Sequence, residues 1–269
     1  MNAPAPTHRP ENGGGAVAEG NGAKPRVAFF DFASCEGCQL TVVDCLQTHL
    51  DLLQSVDIVE FREAMSERSE DYLVAFVEGS VTRPSDEARL QAIRQRAAIV
   101  IALGACAHIG GVNTVRHGLP FDDLRQTVYG DEGKRYETGE ARPIGAVIPV
   151  DGAVPGCPID RQEFIRIVRG LLQGRLPRLP EYPVCVECKL RENACLVLNG
   201  EVCLGSVTRA GCGAICPTYQ TACEGCRGLM PDANLPGLRA DLAARGLADQ
   251  AVEAALRLFL TRELATQEA

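Results

Sequence analysis

The chain contains no tryptophan, only four histidines and three methionines, and few aromatic residues of any kind. No apolar run approaches the roughly 18 residues that would suggest a bilayer-spanning helix, so no membrane insertion is expected. Basic residues are outnumbered, 27 Lys and Arg against 35 Asp and Glu, and the formal net charge is −8. Residues 1–24 carry two acids (Glu11, Glu19) and two bases (Arg9, Lys24), so the whole excess sits on the remainder. With no Lys/Arg cluster to offset it, such a body does not suit a phosphate backbone, and nucleic acid is excluded as a partner. The N-terminal stretch lacks an apolar core and has a lone arginine at position 9, so neither a secretory nor a twin-arginine signal is visible and a cytoplasmic protein is expected. Equally missing are a nucleotide-binding GxGxxG, a phosphate-cradling loop and a paired nucleophile and base.

Against these scarcities stand 13 cysteines. A reducing compartment disfavours a disulfide framework and favours metal ligation. None of the histidines (His8, His49, His108, His117) falls in a Cys-rich spacing, as a mixed zinc site would need. Thirteen divides naturally into three sets of four and one spare.

Residues 1–24 are Gly, Ala, Pro and polar side chains without apolar periodicity, which predicts a disordered tail. From 25 to 180 short apolar runs alternate with helical patterns. Residues 26–32 (RVAFFDF), 56–61, 72–77, 98–103 (AIVIAL) and 144–150 read as strands. Helices are predicted over 39–53, over 84–96 with Ser85 as a cap, and over 160–173, where Asp160 and Glu163 fit a capping box ahead of a Phe164, Ile167, Val168, Leu171 stripe. Residues 119–143 look like an irregular charged insertion. Alternation of this kind implies an α/β fold, a flavodoxin-like doubly wound parallel sheet. The proline-rich stretch 177–183 reads as a stiff linker into a small Cys-rich unit over 181–230, and 231–269 as C-terminal helices, the last over about 250–265.

Cys35 and Cys38 (SCEGCQ) follow the first strand, Cys106 (GACAH) the fourth, and Cys157 (VPGCPID) the fifth. All four fall past carboxyl ends of parallel strands, where open α/β sheets gather ligands, and a flavodoxin-like order is expected to put the three strands on one side of the switch point. Four thiolates are the count for a [4Fe–4S] cluster. Ordinary buried thiols and structural zinc are the competing readings, and FMN is disfavoured because no Ser/Thr-rich phosphate loop follows the first strand.

Eight more cysteines, Cys185, Cys188, Cys195, Cys203, Cys212, Cys216, Cys223 and Cys226, occupy 42 residues with gaps of 2, 6, 7, 8, 3, 6 and 2. So short a segment needs a staple, and eight thiolates make two four-cysteine sites. Cys212-x3-Cys216-Pro217 echoes the end of bacterial ferredoxin motifs. Spacing alone leaves the partition of the eight open. A zinc ribbon is the alternative, but Cys188 to Cys223 is too long for a knuckle pair. Cys45, mid-helix among Val42, Leu46 and His49, reads as core.

SCEGCQ, GACA and PGCP resemble the proximal-cluster motifs of [NiFe]-hydrogenase small subunits. The later CVECK, CLG, AGCGAICP and CEGCRG resemble the ferredoxin-like extension of the cytoplasmic, multisubunit members, in particular the small (delta) subunits of the NADP-linked bidirectional hydrogenases or sulfhydrogenases. The match covers about residues 25–230. It implies a proximal cluster on Cys35, Cys38, Cys106 and Cys157, with medial and distal [4Fe–4S] clusters on the other eight. It also implies a large subunit carrying the Ni–Fe site, and iron–sulfur and flavin/NAD(P)-binding diaphorase subunits as further partners. This chain lacks the paired Cys-x2-Cys motifs at opposite ends that mark that large subunit, so it would carry electrons rather than activate hydrogen. The alternative is a quinone-linked NADH dehydrogenase-type iron–sulfur subunit, whose relatives have an adjacent Cys-Cys pair where this chain has Cys35-x2-Cys38. A zinc-stapled interaction module is a third. Glu36 and Glu78 are read as solvated or capping carboxylates in preference to proton carriers, and His108 either as a donor to cluster sulfur or as packing.

Overall fold

The computed structural model describes residues 24–267, so the tail expected over 1–24 lies outside the described residues except for Lys24. The centre is a five-stranded parallel sheet in the order β2-β1-β3-β4-β5, built from β1 (Arg26–Asp31), β2 (Asp57–Phe61), β3 (Val74–Glu78), β4 (Ile99–Leu103) and β5 (Gly152–Val154). β3 is buried at every position, which is why the central strands read as continuous apolar runs.

Successive side chains feed two cores, one on each face. Val27, Phe29, Phe76, Ile101 and Leu103 pack on one side with Val42 and Cys45 of α1 (Gly37–Thr48) and Phe164 of α6 (Arg161–Leu172). Phe29 lies between Phe61 and Phe76, ring centroids 4.4 and 5.0 Å away. Ala28, Phe30, Ala75, Val77, Val100 and Ala102 meet Leu90 and Ile93 of α3 (Pro84–Arg96) on the other.

Several local expectations are corrected. The helix predicted over 39–53 breaks at His49 into α1 and α2 (Leu50–Ser55); the Thr48 hydroxyl turns back to the Asp44 and Cys45 carbonyls, a contact that bends helices. At α3 the start is fixed by Asp86, which accepts from the backbone of Thr82 and Arg83, and not by Ser85. Residues 144–150 form no strand. Ile144–Ala146 is a 3-10 turn whose Ile144, with Ile148, is buried against the sheet, because Pro149 has no N–H to give a ladder. The fifth strand is the three-residue β5, paired with Ile101–Leu103. β1 and β4 are separated by β3, so the cysteine-bearing strands straddle the switch point between β1 and β3 instead of sharing one side.

After β4 come α4 (Gly104–Ile109) and, inside the charged insertion, α5 (Phe121–Tyr129), which has no buried residue. The Cys-rich segment contains α7 (Val184–Leu190) and α8 (Ile215–Thr218), and the chain continues into α9 (Leu235–Ala244) and α10 (Asp249–Gln267). Val252, Leu256, Phe259 and Leu260 of α10 form one core with Leu238 and Leu242 of α9, Leu204, Val207 and Leu229 of the Cys-rich segment, and Ile109 of α4. No helix among the described residues is long and apolar enough to cross a membrane.

Candidate metal centres

Four of the cysteines, Cys35, Cys38, Cys106 and Cys157, lie past the carboxyl ends of β1, β4 and β5. Glu36 enters α1 in a left-handed conformation (φ 62), leaving Cys35 exposed and Cys38 buried in the first turn. The buried Glu78, last residue of β3, accepts from the backbone N–H groups of Cys38 (3.2 Å) and Gln39 (2.9 Å). Gly104 opens α4 at φ +81 against Cys38, and a Cβ there would stand 2.3 Å from Cys38 Sγ. Ala105 N–H donates to the Gly156 carbonyl (2.8 Å), tying the Cys106 and Cys157 loops together. Burial pushes the Cys38 thiol up, with Glu78, Cys157 and Cys106 adding to the shift. Cys106 is pushed up to about 12 by burial, then by Cys157 and Cys35. Cys157 is raised by burial, then by Cys35. Thiols from three strand ends thus sense one another, while Cys45 is fully buried in the α1–α6 core as expected.

The other eight lie close together in the Cys-rich segment, where several sense one another. Cys185 is pushed up to about 11 by burial, then by Cys203, Cys188 and Cys195. Gly205 lies between two of these, since a Cβ there would be 3.4 Å from Cys185 Sγ and 3.7 Å from Cys203 Sγ. Cys226 is pushed up to about 12 by burial, and Cys212, Cys157 and Cys216 reinforce this. Cys223, raised by burial, feels Cys226 and Cys203, and its backbone N–H donates to Cys203 Sγ at 3.3 Å. Glu187, between Cys185 and Cys188, reaches across to the N–H groups of Gly211 (2.9 Å) and Ala214 (3.2 Å) around Cys212. Among the described residues no three His, Cys, Asp or Glu side chains close around a point as a single metal ion would need. The grouping is therefore one of neighbourhood.

The donor sets fit iron–sulfur clusters. They are all sulfur, twelve in number besides the core Cys45, and the thiols that burial raises would be relieved by a cationic metal that takes the thiolate form.

Several polar partners carry no mark in the sequence. Asn113 Nδ2 donates to Ala33 O (2.8 Å) and Ser80 Oγ (2.9 Å) and stands 3.9 Å from Cys106 Sγ. Asn193 Nδ2 stands 3.7 Å from Cys188 Sγ. Gln39 is 1% exposed with no hydrogen-bond partner for its side-chain amide. Arg227, in CEGCRG, forms a buried pair with Glu163. Neither spacing nor periodicity singles out any of these. Glu78 caps α1, the capping role expected of it. His108 is held neutral, its pKa lowered to about 4 by burial and by the charges of Arg209 and Arg227.

Cysteines gathered at the strand ends of a flavodoxin-like sheet, backed by a Cys-rich unit, define a small α/β oxidoreductase subunit. Residues 35–171 match the family described as NADH ubiquinone oxidoreductase, 20 Kd subunit. The chain is 36% identical to the sulfhydrogenase 2 subunit delta of Pyrococcus furiosus over 87% of its own length and 98% of that protein's. It is 30% identical to a subunit of the F420-non-reducing hydrogenase vhu of Methanococcus voltae, covering 76% of this chain and 82% of that one. Among solved structures, a chain of an NAD+-reducing [NiFe]-hydrogenase in the H2-reduced state superposes with a TM-score of 0.53 at 27% identity, covering 59% of this chain and 96% of that one. The chain belongs to this family, on its [NiFe]-hydrogenase small-subunit branch.

Proposed function

We propose that the chain is the electron-transfer subunit of a cytoplasmic [NiFe]-hydrogenase, holding three [4Fe–4S] clusters. Cys35, Cys38, Cys106 and Cys157 hold the proximal one, Cys212, Cys216, Cys223 and Cys226 the medial, and Cys185, Cys188, Cys195 and Cys203 the distal. Bound there, the clusters supply one-electron carriers between a large subunit's Ni–Fe site and an NAD(P)-linked flavoprotein partner. The observation that carries the reading is contact in series. Arg227, next to Cys226, donates to the Pro155 carbonyl two residues before Cys157 (2.9 Å), and Cys223 N–H donates to Cys203 Sγ (3.3 Å). Residues 25–180 form the proximal-cluster domain in this reading, 181–230 the two-cluster unit, and 231–269 its helical support.

The large-subunit partner follows from relatives that are themselves subunits of multisubunit hydrogenases. The nicotinamide-linked partner is favoured by the NAD+-reducing neighbour; a different acceptor is the second reading, favoured by the F420-non-reducing relative. The test is anaerobic purification of the tagged chain from its own cells. It should bring down a nickel-containing large subunit, and a zinc-loaded chain without such a partner would overturn the proposal.

A further inference from the structure

Arg227 is among the largest fully buried side chains in the protein, 1% exposed. Its Nη1 and Nη2 donate to the two carboxylate oxygens of Glu163 on α6 at 2.7 and 2.8 Å. The remaining donors go to backbone carbonyls: Nε to Ala210 (2.9 Å) and Arg209 (3.2 Å), Nη1 to Pro155 (2.9 Å). The arginine and its backbone contacts lie close to cysteines in the chain. Arg227 follows Cys226 directly, Ala210 is two residues before Cys212, and Pro155 two before Cys157. Gly211 is needed in between, because a Cβ there would lie 2.2 Å from Arg227 Nη2.

Pinning the Cys-rich segment to the α/β domain does not by itself call for an ion pair. Well-packed apolar side chains of similar volume do as well or better at a buried site, where desolvating two charges is costly. A guanidinium adds a charge that persists at any pH the protein meets. A fixed cation stabilises the more negative, reduced state of a neighbouring redox group and so raises its reduction potential. The guanidinium is set beside that site by its place in the chain, directly after Cys226, and by its Nε bond to the Ala210 carbonyl two residues before Cys212.

We propose that Arg227 is a positioning residue that also raises the reduction potential of the cluster held by Cys212, Cys216, Cys223 and Cys226, with Glu163 orienting it and tempering its charge. The inference rests on the three-cluster reading above.

The test is an EPR-monitored redox titration of the purified complex, with iron counted in every sample. Arg227→Met should lower the midpoint of one cluster and leave the other two in place. Arg227→Lys keeps the charge and should remain near wild type. Glu163→Gln removes the opposing charge and should move the same midpoint up. A purely structural guanidinium would move no midpoint in variants with full iron. Unchanged potentials, or equal downward shifts in the Met and Lys variants, would overturn the inference. If Arg227→Met loses iron, the upward shift in Glu163→Gln still decides, and its absence refutes the proposal. Fewer than three clusters in the wild-type complex would instead count against the three-cluster reading itself.

Discussion

The backbone N–H of Cys38 donates to Glu78 Oε1 at 3.2 Å, so the end of β3 caps the first turn of the helix that carries a cysteine of the strand-end site. Oε2 accepts from the next N–H, at Gln39, at 2.9 Å. Burial raises the Glu78 pKa, and these bonds to its charged form oppose the shift. Glu78→Ala would orphan two buried donors, at about 1–3 kcal/mol each. Glu78→Gln keeps one acceptor and should lose less. Urea unfolding of both variants checks this, and an Ala variant as stable as wild type would remove Glu78 from the support of the site.

Cys157→Ala and Cys45→Ala should separate ligand from core. Cys157 is exposed at the meeting point of the strand-end thiols, whereas Cys45 is fully buried between α1 and α6. The first substitution should abolish hydrogen-dependent dye reduction by the complex. The second should cost only roughly 1–2 kcal/mol in packing and leave turnover in place. Equal loss of dye reduction in both would show that the division is wrong.

How far the sequence could be read depends on how local each cause is. β1, β3 and β4 were legible because strands buried on both faces write themselves as apolar runs, and the edge strand β2 because its inward Val59 and Phe61 alternate with half-exposed positions. β5 was not, because the apolar residues around Pro149 pack as a turn while the pairing falls to Gly152–Val154. The cysteines were legible as residue types at strand ends, but which neighbour which depends on backbone contacts such as Cys223 with Cys203 that spacing does not encode. The Arg227–Glu163 pair joins positions 64 residues apart, and nothing local at either end announces the other. Even the capping box was half right: Asp160 accepts from Glu163 N–H at 2.7 Å, but the Glu163 carboxylate goes to Arg227.

The C-terminal helices should respond to acid through one clasp. Arg239 on α9 grips Glu253 on α10 at 2.6 and 3.3 Å, and that hydrogen bond holds the Glu253 carboxyl below its usual range. With the folded pKa depressed, the stabilisation is complete above the unfolded value of about 4.3 and is lost as pH falls through the folded one. The side chains are 37% and 43% exposed, so the pair contributes under about 1 kcal/mol. Glu253→Gln should therefore melt slightly below wild type at pH 7, with the gap closing below about pH 4. A gap that widens on acidification contradicts this.

Iron content tests the donor sets directly. The proposed function assigns twelve of the 13 cysteines to three ligand sets, so anaerobically prepared protein should approach about twelve iron and twelve sulfide per chain. Because Cys226 packs against the α9–α10 core, stripping the metal should loosen that core as well. Thermal melting before and after chelation measures it. Mainly zinc, or about four iron after full reconstitution, would contradict the assignment.

The isolated chain should be catalytically silent. Its site residues are thiols already assigned to ligand sets, and its sequence carries no nucleotide-binding glycine motif and no nucleophile–base pair. The buried carboxylates have other employment, Glu78 capping α1, Asp86 capping α3 and Glu163 holding Arg227, and the half-buried Glu263 accepts from Leu229 N–H at 3.0 Å. What remains is a set of adjoining thiol neighbourhoods running from the strand ends through Cys226 to Cys203, an arrangement suited to conducting electrons between partners. Hydrogen uptake should be absent in the isolated subunit. It should appear in the complex, coupled to NADP⁺ reduction and reversible with NADPH. A complex that ignores pyridine nucleotides but reduces another acceptor would leave the conductor in place and change its partner. Hydrogen turnover by the isolated chain would end the conductor reading, because that reading commits the thiols of the described residues to clusters and the carboxylates to caps and ion pairs.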